Sequence, residues 1–446
     1  MNWKVLVTGA SHLITKRYLG PFWFRRRWLM KTQWMDESSL EAIQLKMLKR
    51  LVSHCCKTVP DYRRVMQERN ITVESIKEIA DIKQFPVLRK QDVLASADDL
   101  TSSKYPRWAN TTGLTGGTTG TPLSLPRNLM SVENEHAFVR RQWDWAGIRF
   151  SDRTAYLSGR VVADPRKTDG RLYAYDPFMR ELILSSYHLS AGTVPGFVEA
   201  MKIYNVRALA GYPSAICFLA KVSLISGIKI ILAAVLTTSE ILTDSMRITI
   251  SEAFDCKVFD FYGSAERVCY IHTCEHGTYH IIPEYGITEL VPAEGLDNNH
   301  FKIVATGFWN TAMPLIRYDT GDIVVRSDES CACGRAYPTV KSIYGRTGRM
   351  LRTPSGRYFG PTLLARIAKY ANNIIESQII QDEIDHVILN YVPKDNFSAE
   401  DMEEFQRHLA QHFPSDLKID LKKVDRVERA RSGKVNFFIS KINHEE

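Results

Sequence analysis

Residues 111–122 read Thr111-Thr112-Gly113-Leu114-Thr115-Gly116-Gly117-Thr118-Thr119-Gly120-Thr121-Pro122. Ten of these twelve residues are Gly or Thr, so almost no side chain here can fill a packed core. Glycine lets a backbone turn tightly and present successive N–H groups, and threonine adds hydroxyl donors. Two readings follow: a cradle for phosphate oxygens, or a flexible Gly/Thr linker. The stretch is not a Walker loop, because no Gly-Lys-[Ser/Thr] follows four residues after a first Gly.

Three blocks further along separate the two readings. They are Tyr262-Gly263-Ser264-Ala265-Glu266, then Arg317-Tyr318-Asp319-Thr320-Gly321-Asp322, then Gly345-Arg346 with Gly348 and Arg349 behind it. A Gly433-Lys434 pair stands near the C-terminus. With Thr115–Pro122, these blocks resemble, in order, the motifs of the adenylate-forming (acyl/aryl-CoA synthetase) superfamily. Within it the chain most resembles the phenylacetate–CoA ligase branch, including its capsular-polysaccharide biosynthesis relatives. The resemblance runs from about Ser38 to Lys434.

The bounds set by composition agree. At 446 residues there is room for a large catalytic unit and a small one. A hydrophobic fraction of 44% and a charged fraction of 24% are ordinary for a globular enzyme. The net charge of +8 suits anionic substrates such as ATP or coenzyme A; no nucleic-acid partner is expected. No run of eighteen apolar residues indicates a membrane span, and no signal peptide is read at the N-terminus. Eight cysteines in so long a chain point to a reducing cytoplasm, as thiols or metal ligands rather than disulfides.

Along the chain, residues 2–9 read as a strand ending in Gly, but the full dinucleotide fingerprint is missing. Residues 18–34 mix Trp23, Phe24 and Trp28 with Arg25, Arg26 and Arg27. No sustained helical period is visible, so a packing arm is expected, with peripheral membrane contact as the alternative. Ser38-x-x-Glu41 reads as a capping box opening a long helix that Pro60 ends. A second helix is expected over residues 131–148, with Arg140 and Arg141 on an exposed basic face. Short buried strands then alternate with helical stretches, at Ala155–Leu157, Leu182–Ser185, Ala208–Ala210, Ile230–Leu236 and Val258–Phe261, which argues for α/β layers. The expected architecture is α/β: a large multi-layer N-terminal domain with mainly parallel sheets over residues 1–346, the first 37 forming the arm. A small mobile α+β lid follows over residues 347–446.

The resemblance implies roles residue by residue. Thr115, Gly116, Gly117, Thr118, Thr119 and Gly120 would cradle the ATP phosphates. Tyr262, Gly263 and Ser264 would line the adenine side, and Glu266 would hold Mg²⁺, a hard cation that takes oxygen ligands. Thr237-Thr238-Ser239-Glu240 occupies the place of a Gly-Gly-Glu turn lying along adenine, so Ser239 and Glu240 join the ATP site although no glycine stands there. Asp322 would grip both ribose hydroxyls, because a carboxylate offers two acceptors to a cis-diol. Arg346 would hold the ribose or α-phosphate region. Lys434 would reach the acid and the α-phosphate as the transition state forms. The hinge of the lid would lie near residues 346–350, where this chain has Gly348 and Arg349 in place of the usual acids.

A metal constellation is separate. Cys269, His272, Cys274, His276 and His280 fall within twelve residues, and Cys331 and Cys333 lie further on. Two close pairs joined by a longer segment suit a structural zinc ion. Cys274, His280, Cys331 and Cys333 are the expected ligands, with Cys269, His272 or His276 able to replace one.

The implied function is activation of a carboxylic acid as acyl-AMP with pyrophosphate release, then transfer to an acceptor. Coenzyme A is the default acceptor, and an amine in polysaccharide or secondary-metabolite biosynthesis is the alternative. A reading of another class is a non-catalytic nucleotide-binding or scaffold protein. A homodimer is a further expectation.

Overall fold

The computed structural model describes residues 22–114, 123–164, 170–293, 298–327, 329–344, 351–359, 373–393, 396–413, 415–425, 427–428 and 438–442. The strand expected at residues 2–9 lies outside them. The arm differs from its expectation, since α1 (Phe22–Thr32) is a regular helix. Its apolar period is masked in sequence because aromatics face both ways: Phe22 and Leu29 are buried, whereas Phe24 is exposed. Arg25 stacks on Trp309, 3.8 Å from the ring centre.

The long helix α2 (Glu37–Thr58) buries Leu40, Leu48, Leu51, Val52 and Cys55. Its cap is Asp36, whose Oδ1 accepts the Ser39 N–H at 2.8 Å, not the expected Ser38 with Glu41. A carboxylate accepts from backbone N–H groups more strongly than a hydroxyl and also meets the positive helix end. Pro60 opens a new helix, α3 (Pro60–Glu68), as its missing N–H allows at a first turn. The short α4 (Lys90–Ala95) follows. Strands β1 (Thr111–Leu114) and β2 (Ser124–Arg127) then pair antiparallel, with Leu114 opposite Ser124. The two ends of the Gly/Thr stretch are thereby brought together.

Helix α5 (Leu129–Trp145) corrects another expectation. Arg141 is not on an exposed face; it is fully buried. Its Nη1 donates to Glu284 Oε1 and to Tyr337 Oη, each at 2.9 Å, and Trp145 and Tyr337 lie against its guanidinium. Removing one partner of such a buried pair typically costs about 3–5 kcal/mol, because the other charge is stranded. Arg140 pairs with Asp144 at 3.0 Å.

The main sheet is built from β3 (Arg153–Leu157), β4 (Tyr173–Asp176), β5 (Glu181–Leu184), β6 (Val206–Gly211), β7 (Ala234–Thr238), β8 (Lys257–Gly263), β9 (Tyr270–Thr273), β10 (Tyr279–Ile281), β11 (Gly286–Pro292), β12 (His300–Gly307), β13 (Tyr318–Arg326) and β14 (Thr339–Tyr344). Their order is β11-β12-β13-β14-β10-β9-β8-β7-β6-β3-β5-β4. The parallel α/β core expected from the alternation is the run β8-β7-β6-β3-β5. Three helices pack with it: α6 (Val194–Ile203), α7 (Pro213–Ile225) and α8 (Asp244–Phe254). Beyond β8 the strands turn antiparallel, because the described residues between 264 and 344 form short connections with no crossover helix among them.

A buried carboxyl ties three strands of this sheet together. Asp260 accepts the Thr237 hydroxyl at 2.5 Å and the Tyr279 hydroxyl at 2.7 Å. Burial pushes its carboxyl up to about 6, against the pull of those two hydroxyls. The folded chain therefore keeps this proton over a pH range where the unfolded chain has already lost it, and stability from this group falls as pH rises from about 4 to about 6. Asp260→Asn removes the titration. Relative to that variant, the wild type should lose on the order of 2–3 kcal/mol between pH 4 and pH 7. Denaturant midpoints at both pH values check this, and parallel pH profiles would refute it.

The C-terminal portion carries a small hairpin, β15 (Leu351–Arg352) with β16 (Tyr358–Phe359). A four-stranded sheet follows, in the order β19-β18-β17-β20, from β17 (Ile374–Glu383), β18 (His386–Pro393), β19 (Lys418–Lys423) and β20 (Phe438–Ser440). Helix α9 (Ala399–His412) starts at a capping box, with Ser398 and Asp401 capping each other. This is an α+β unit beside the α/β one. No helix of the described residues is long and apolar enough to cross a membrane.

Candidate active site and metal centre

In a parallel sheet, ligands collect beyond the carboxyl ends of the strands. Several of the sequence-derived residues stand there. Ser239 and Glu240 follow β7, Tyr262 and Gly263 end β8, and Glu266 lies in the turn beyond. The long antiparallel β13 contributes Tyr318 and Asp322 to the same place. Tyr262 Oη donates to Asp322 Oδ2 at 2.8 Å, and Tyr318 Oη donates to Glu266 Oε1 at 3.2 Å. Two phenols thus each hold one carboxylate. Burial raises the Glu266 carboxyl above its ordinary range, with Asp322 adding to the effect. A carboxylate stripped of water in this way suits a divalent cation, and its donor set of hard oxygens fits Mg²⁺. Thr320 Oγ1 accepts the Asp322 N–H at 3.2 Å and so fixes that strand locally.

The Ser239 turn keeps its shape without glycine. Ser239 has φ 71°, a conformation that costs a residue with a Cβ about 1–2 kcal/mol. Ser239→Gly should therefore raise stability by about 1 kcal/mol or less, because glycine also loses more chain entropy. Thermal melts would register the gain, and a lower melting temperature would contradict the assignment of strain. Glu240 Oε2 accepts the Ser214 N–H at 3.1 Å, which joins this turn to the start of α7. Just before α7, Gly211 passes so close to Leu157 that any Cβ there would overlap the Leu157 carbonyl oxygen.

Arg127 has no part in the motif reading, yet it enters this site. Its Nη2 donates to the Ala265 carbonyl, next to Glu266. Burial pushes its guanidinium down to about 10, and the neighbouring Arg267 pushes the same way. Gly113 lies on the strand paired with Arg127's own, and any Cβ at Gly113 would overlap the guanidinium. Tyr318, within the Arg317–Asp322 stretch, serves this site through its hydroxyl on Glu266. Arg317 lies apart from this group, gripping Glu289 with Nε at 2.9 Å and Nη2 at 3.0 Å.

Thr115, Gly116, Gly117, Thr118, Thr119, Gly120, Arg346 and Lys434 lie outside the described residues, as do the hinge positions Gly348 and Arg349. Only the flanks of the Gly/Thr stretch are placed, by β1 and β2.

A second cluster forms between the β9–β10 turn and the loop before β14. Cys274, His280, Cys331 and Cys333 put one ligand atom each within 4.8 Å of one another. Cys274 Sγ is 3.5 Å from Cys331 Sγ, and Cys333 Sγ is 3.4 Å from His280 Nε2. A tetrahedral zinc ion with Zn–S near 2.3 Å puts its ligand atoms roughly 3.5–3.8 Å apart, close to these two separations, and three thiols with one imidazole are a zinc donor set. The alternates do other work. Cys269 Sγ lies 3.4 Å from Thr288 Oγ1, the His272 ring packs 4.5 Å from Trp145, and His276 approaches Cys274 through its backbone N–H. All eight cysteines are free of disulfides.

Comparison with known proteins finds relatives of the chain. The family described as the CapK C-terminal domain matches residues 351–441. Protein CapK of Staphylococcus aureus is 24% identical over 386 residues, 85% of each chain. Phenylacetate-coenzyme A ligase of Thermus thermophilus is 26% identical over 333 residues, 71% of this chain and 72% of the relative. Among solved structures, 2-hydroxyisobutyryl-CoA ligase in complex with 2-HIB-AMP and CoA superposes with a TM-score of 0.57 at 18% identity, over 96% of this chain and 95% of that one. Its postadenylation-state complex with R3-HIB-AMP gives 0.56. At that identity the structural likeness carries the fold: a large mixed sheet followed by a smaller C-terminal one.

Proposed function

The chain belongs to the phenylacetate–CoA ligase-like branch of the adenylate-forming enzymes, which includes CapK, and from that premise we propose that it activates a carboxylic acid with ATP and passes the acyl group to an acceptor. It is an AMP-forming, acid–CoA ligase-like enzyme. The observation that carries the reading to this chain's own residues is the Tyr262–Asp322 and Tyr318–Glu266 pairing at one place.

In the proposed reaction a carboxylate oxygen of the acid attacks the α-phosphorus of ATP. The bond to pyrophosphate breaks, and acyl-AMP forms. The acceptor then attacks the acyl carbon and AMP leaves with the bridging oxygen. Asp322 receives the ribose hydroxyls, and Tyr262 holds its carboxylate in place. Tyr318 does the same for Glu266, the residue that would bind Mg²⁺; the bound cation would neutralise charge on the phosphates. Residues Thr115 to Gly120 would line the phosphates with N–H and hydroxyl donors, with Arg127 as an added cation. Ser239, Glu240, Gly263 and Ser264 would flank the base. Arg346 and Lys434 are assigned from the motifs, Lys434 as the cation for the developing charge at the α-phosphorus. Residues 347–446 would move as a lid on a hinge near 346–350.

Coenzyme A is the proposed acceptor, and 2-hydroxyisobutyryl-CoA ligase, whose complex contains both 2-HIB-AMP and CoA, supports a thiol. The match to CapK over 85% of the chain is consistent with a second reading, in which an amine takes the acyl group and an amide results. The Cys274, His280, Cys331 and Cys333 quartet would hold a structural zinc ion. Eight unpaired cysteines support a reducing compartment such as the cytoplasm.

The test is acid-dependent pyrophosphate release with ATP and Mg²⁺. A responding acid supports adenylation. Lys434→Ala should then lower the rate by roughly a hundredfold or more while nucleotide still binds. Unchanged release in that variant would remove Lys434 from the account.

A further inference from the structure

The parallel strands β5, β3, β6, β7 and β8 share an amino-terminal edge, opposite the edge that carries the candidate nucleotide residues. Exposed apolar side chains stand on successive approaches to it. Phe178, 43% exposed, is in the turn before β5; Ile203, 65% exposed, ends α6 before β6. Ile225, 86% exposed, ends α7, and Ile231, 73% exposed, precedes β7. Helix α1 joins the same edge: Trp23 packs on Phe150, centroids 4.9 Å apart, just ahead of β3, and leaves Phe24 81% exposed. Single exposed apolar residues are ordinary. Exposed apolar residues also stand elsewhere, Trp108 at 88% among them, but Phe24, Phe178, Ile203, Ile225 and Ile231 fall along this one edge of one sheet, and such a grouping marks an interaction surface.

Charge says what kind of surface this edge would meet. Arg149, Arg153, Arg180, Lys202, Arg207 and Lys229 are exposed on the same connections. Arg153 donates to the Tyr204 carbonyl at 3.2 Å and Arg180 to the Ser151 carbonyl at 2.9 Å. Those partners are neutral, so they orient the guanidiniums without cancelling their charge. On the connections into β3 and β8, Asp152 lies 3.9 Å from Arg207, and Asp255 is exposed. Six exposed cations stand here against these two acids and Glu252, exposed in the last turn of α8. Along the chain the apolar tips alternate with these cations: Phe178 with Arg180, Ile203 with Lys202, Ile231 with Lys229. A rigid protein partner needs a packed, contiguous centre; a fluid anionic interface accepts isolated tips with basic residues between them.

We propose that this amino-terminal edge docks on an anionic lipid surface. Phe24, Phe178, Ile203, Ile225 and Ile231 enter the headgroup layer, and the flanking arginines and lysines meet lipid phosphates. The carboxyl edge then faces away from the lipid, open to its substrates. The proposal is independent of the adenylation reading.

The test is sedimentation of the full chain with vesicles of phosphatidylcholine, with and without phosphatidylglycerol. The protein should bind the phosphatidylglycerol vesicles at low salt, leave them as salt rises, and ignore phosphatidylcholine alone. Ile225→Gln with Ile231→Gln, and separately Arg153→Glu with Arg207→Glu, should each weaken binding by about tenfold or more. Melting temperature and nucleotide binding should be unchanged, which shows that both variants fold. Equal binding to neutral vesicles, no binding at all, or full binding by both folded variants would overturn the proposal. A concentration-dependent dimer abolished by the isoleucine changes would also overturn it, by assigning the edge to a second copy of the chain.

Discussion

Asp322→Ala raises the KM for ATP by about a hundredfold or more and leaves kcat within about tenfold of wild type. The reasoning starts from the carboxylate itself. It offers two acceptor oxygens, and Tyr262 Oη already holds one of them from the side at 2.8 Å, which orients the group. Each hydrogen bond from a ribose hydroxyl to a charged acceptor is worth about 1.5–3 kcal/mol, and two such bonds account for a hundredfold or more. The ribose is remote from the breaking bond, so this binding is the same in ground and transition states and its loss falls on KM. Tyr262→Phe should produce a smaller shift of the same kind, because the carboxylate stays but loses its support. Steady-state kinetics against ATP check both. A fall in kcat with an unchanged KM would remove Asp322 from the ribose site.

The second large effect concerns the metal quartet. Purified protein should contain about one zinc ion per chain, and Cys333→Ala should abolish stoichiometric binding. Changing groups that merely support a metal ligand costs about 10–100-fold in affinity, so losing a buried ligand should exceed that. Because a preformed site rarely exists in an unfolded chain, the lost binding energy is lost folding energy, and the melting temperature should fall in the variant and on treatment with a chelator. The quartet ties the β9–β10 turn to the loop between β13 and β14, so its loss should also loosen Asp322 on β13. Cys269→Ser, outside the quartet, should keep its zinc. A zinc-free protein with an unaltered melting temperature would refute the centre.

Much of this arrangement was legible in the sequence. Glu266 and Asp322 sit in separate blocks, and the structure joins them through two tyrosines that belong to those same blocks. The Cys and His spacing marked a cluster with alternates, and the structure brings the donor atoms of Cys274, His280, Cys331 and Cys333 within 4.8 Å of one another. Other features could not be read locally. Arg140-Arg141 looks like a solvated basic pair, and only tertiary packing supplies Glu284 and Tyr337 to bury one of the two. The period of α1 is obscured because aromatics cover both its buried and its exposed sides. Arg127 is placed by a strand pairing, not by a motif. The antiparallel half of the main sheet follows from an absence of crossover helices, which only a complete assignment of strands makes visible.

The most direct measurement follows an oxygen atom. An acid found by pyrophosphate release, labelled with ¹⁸O in its carboxylate, is incubated with ATP, Mg²⁺ and coenzyme A or an amine, and AMP is examined by mass spectrometry. Attack of the carboxylate on the α-phosphorus predicts one labelled oxygen in each AMP released. Unlabelled AMP, ADP in place of AMP, or no turnover with any acid in protein that binds ATP would contradict acyl-adenylate formation.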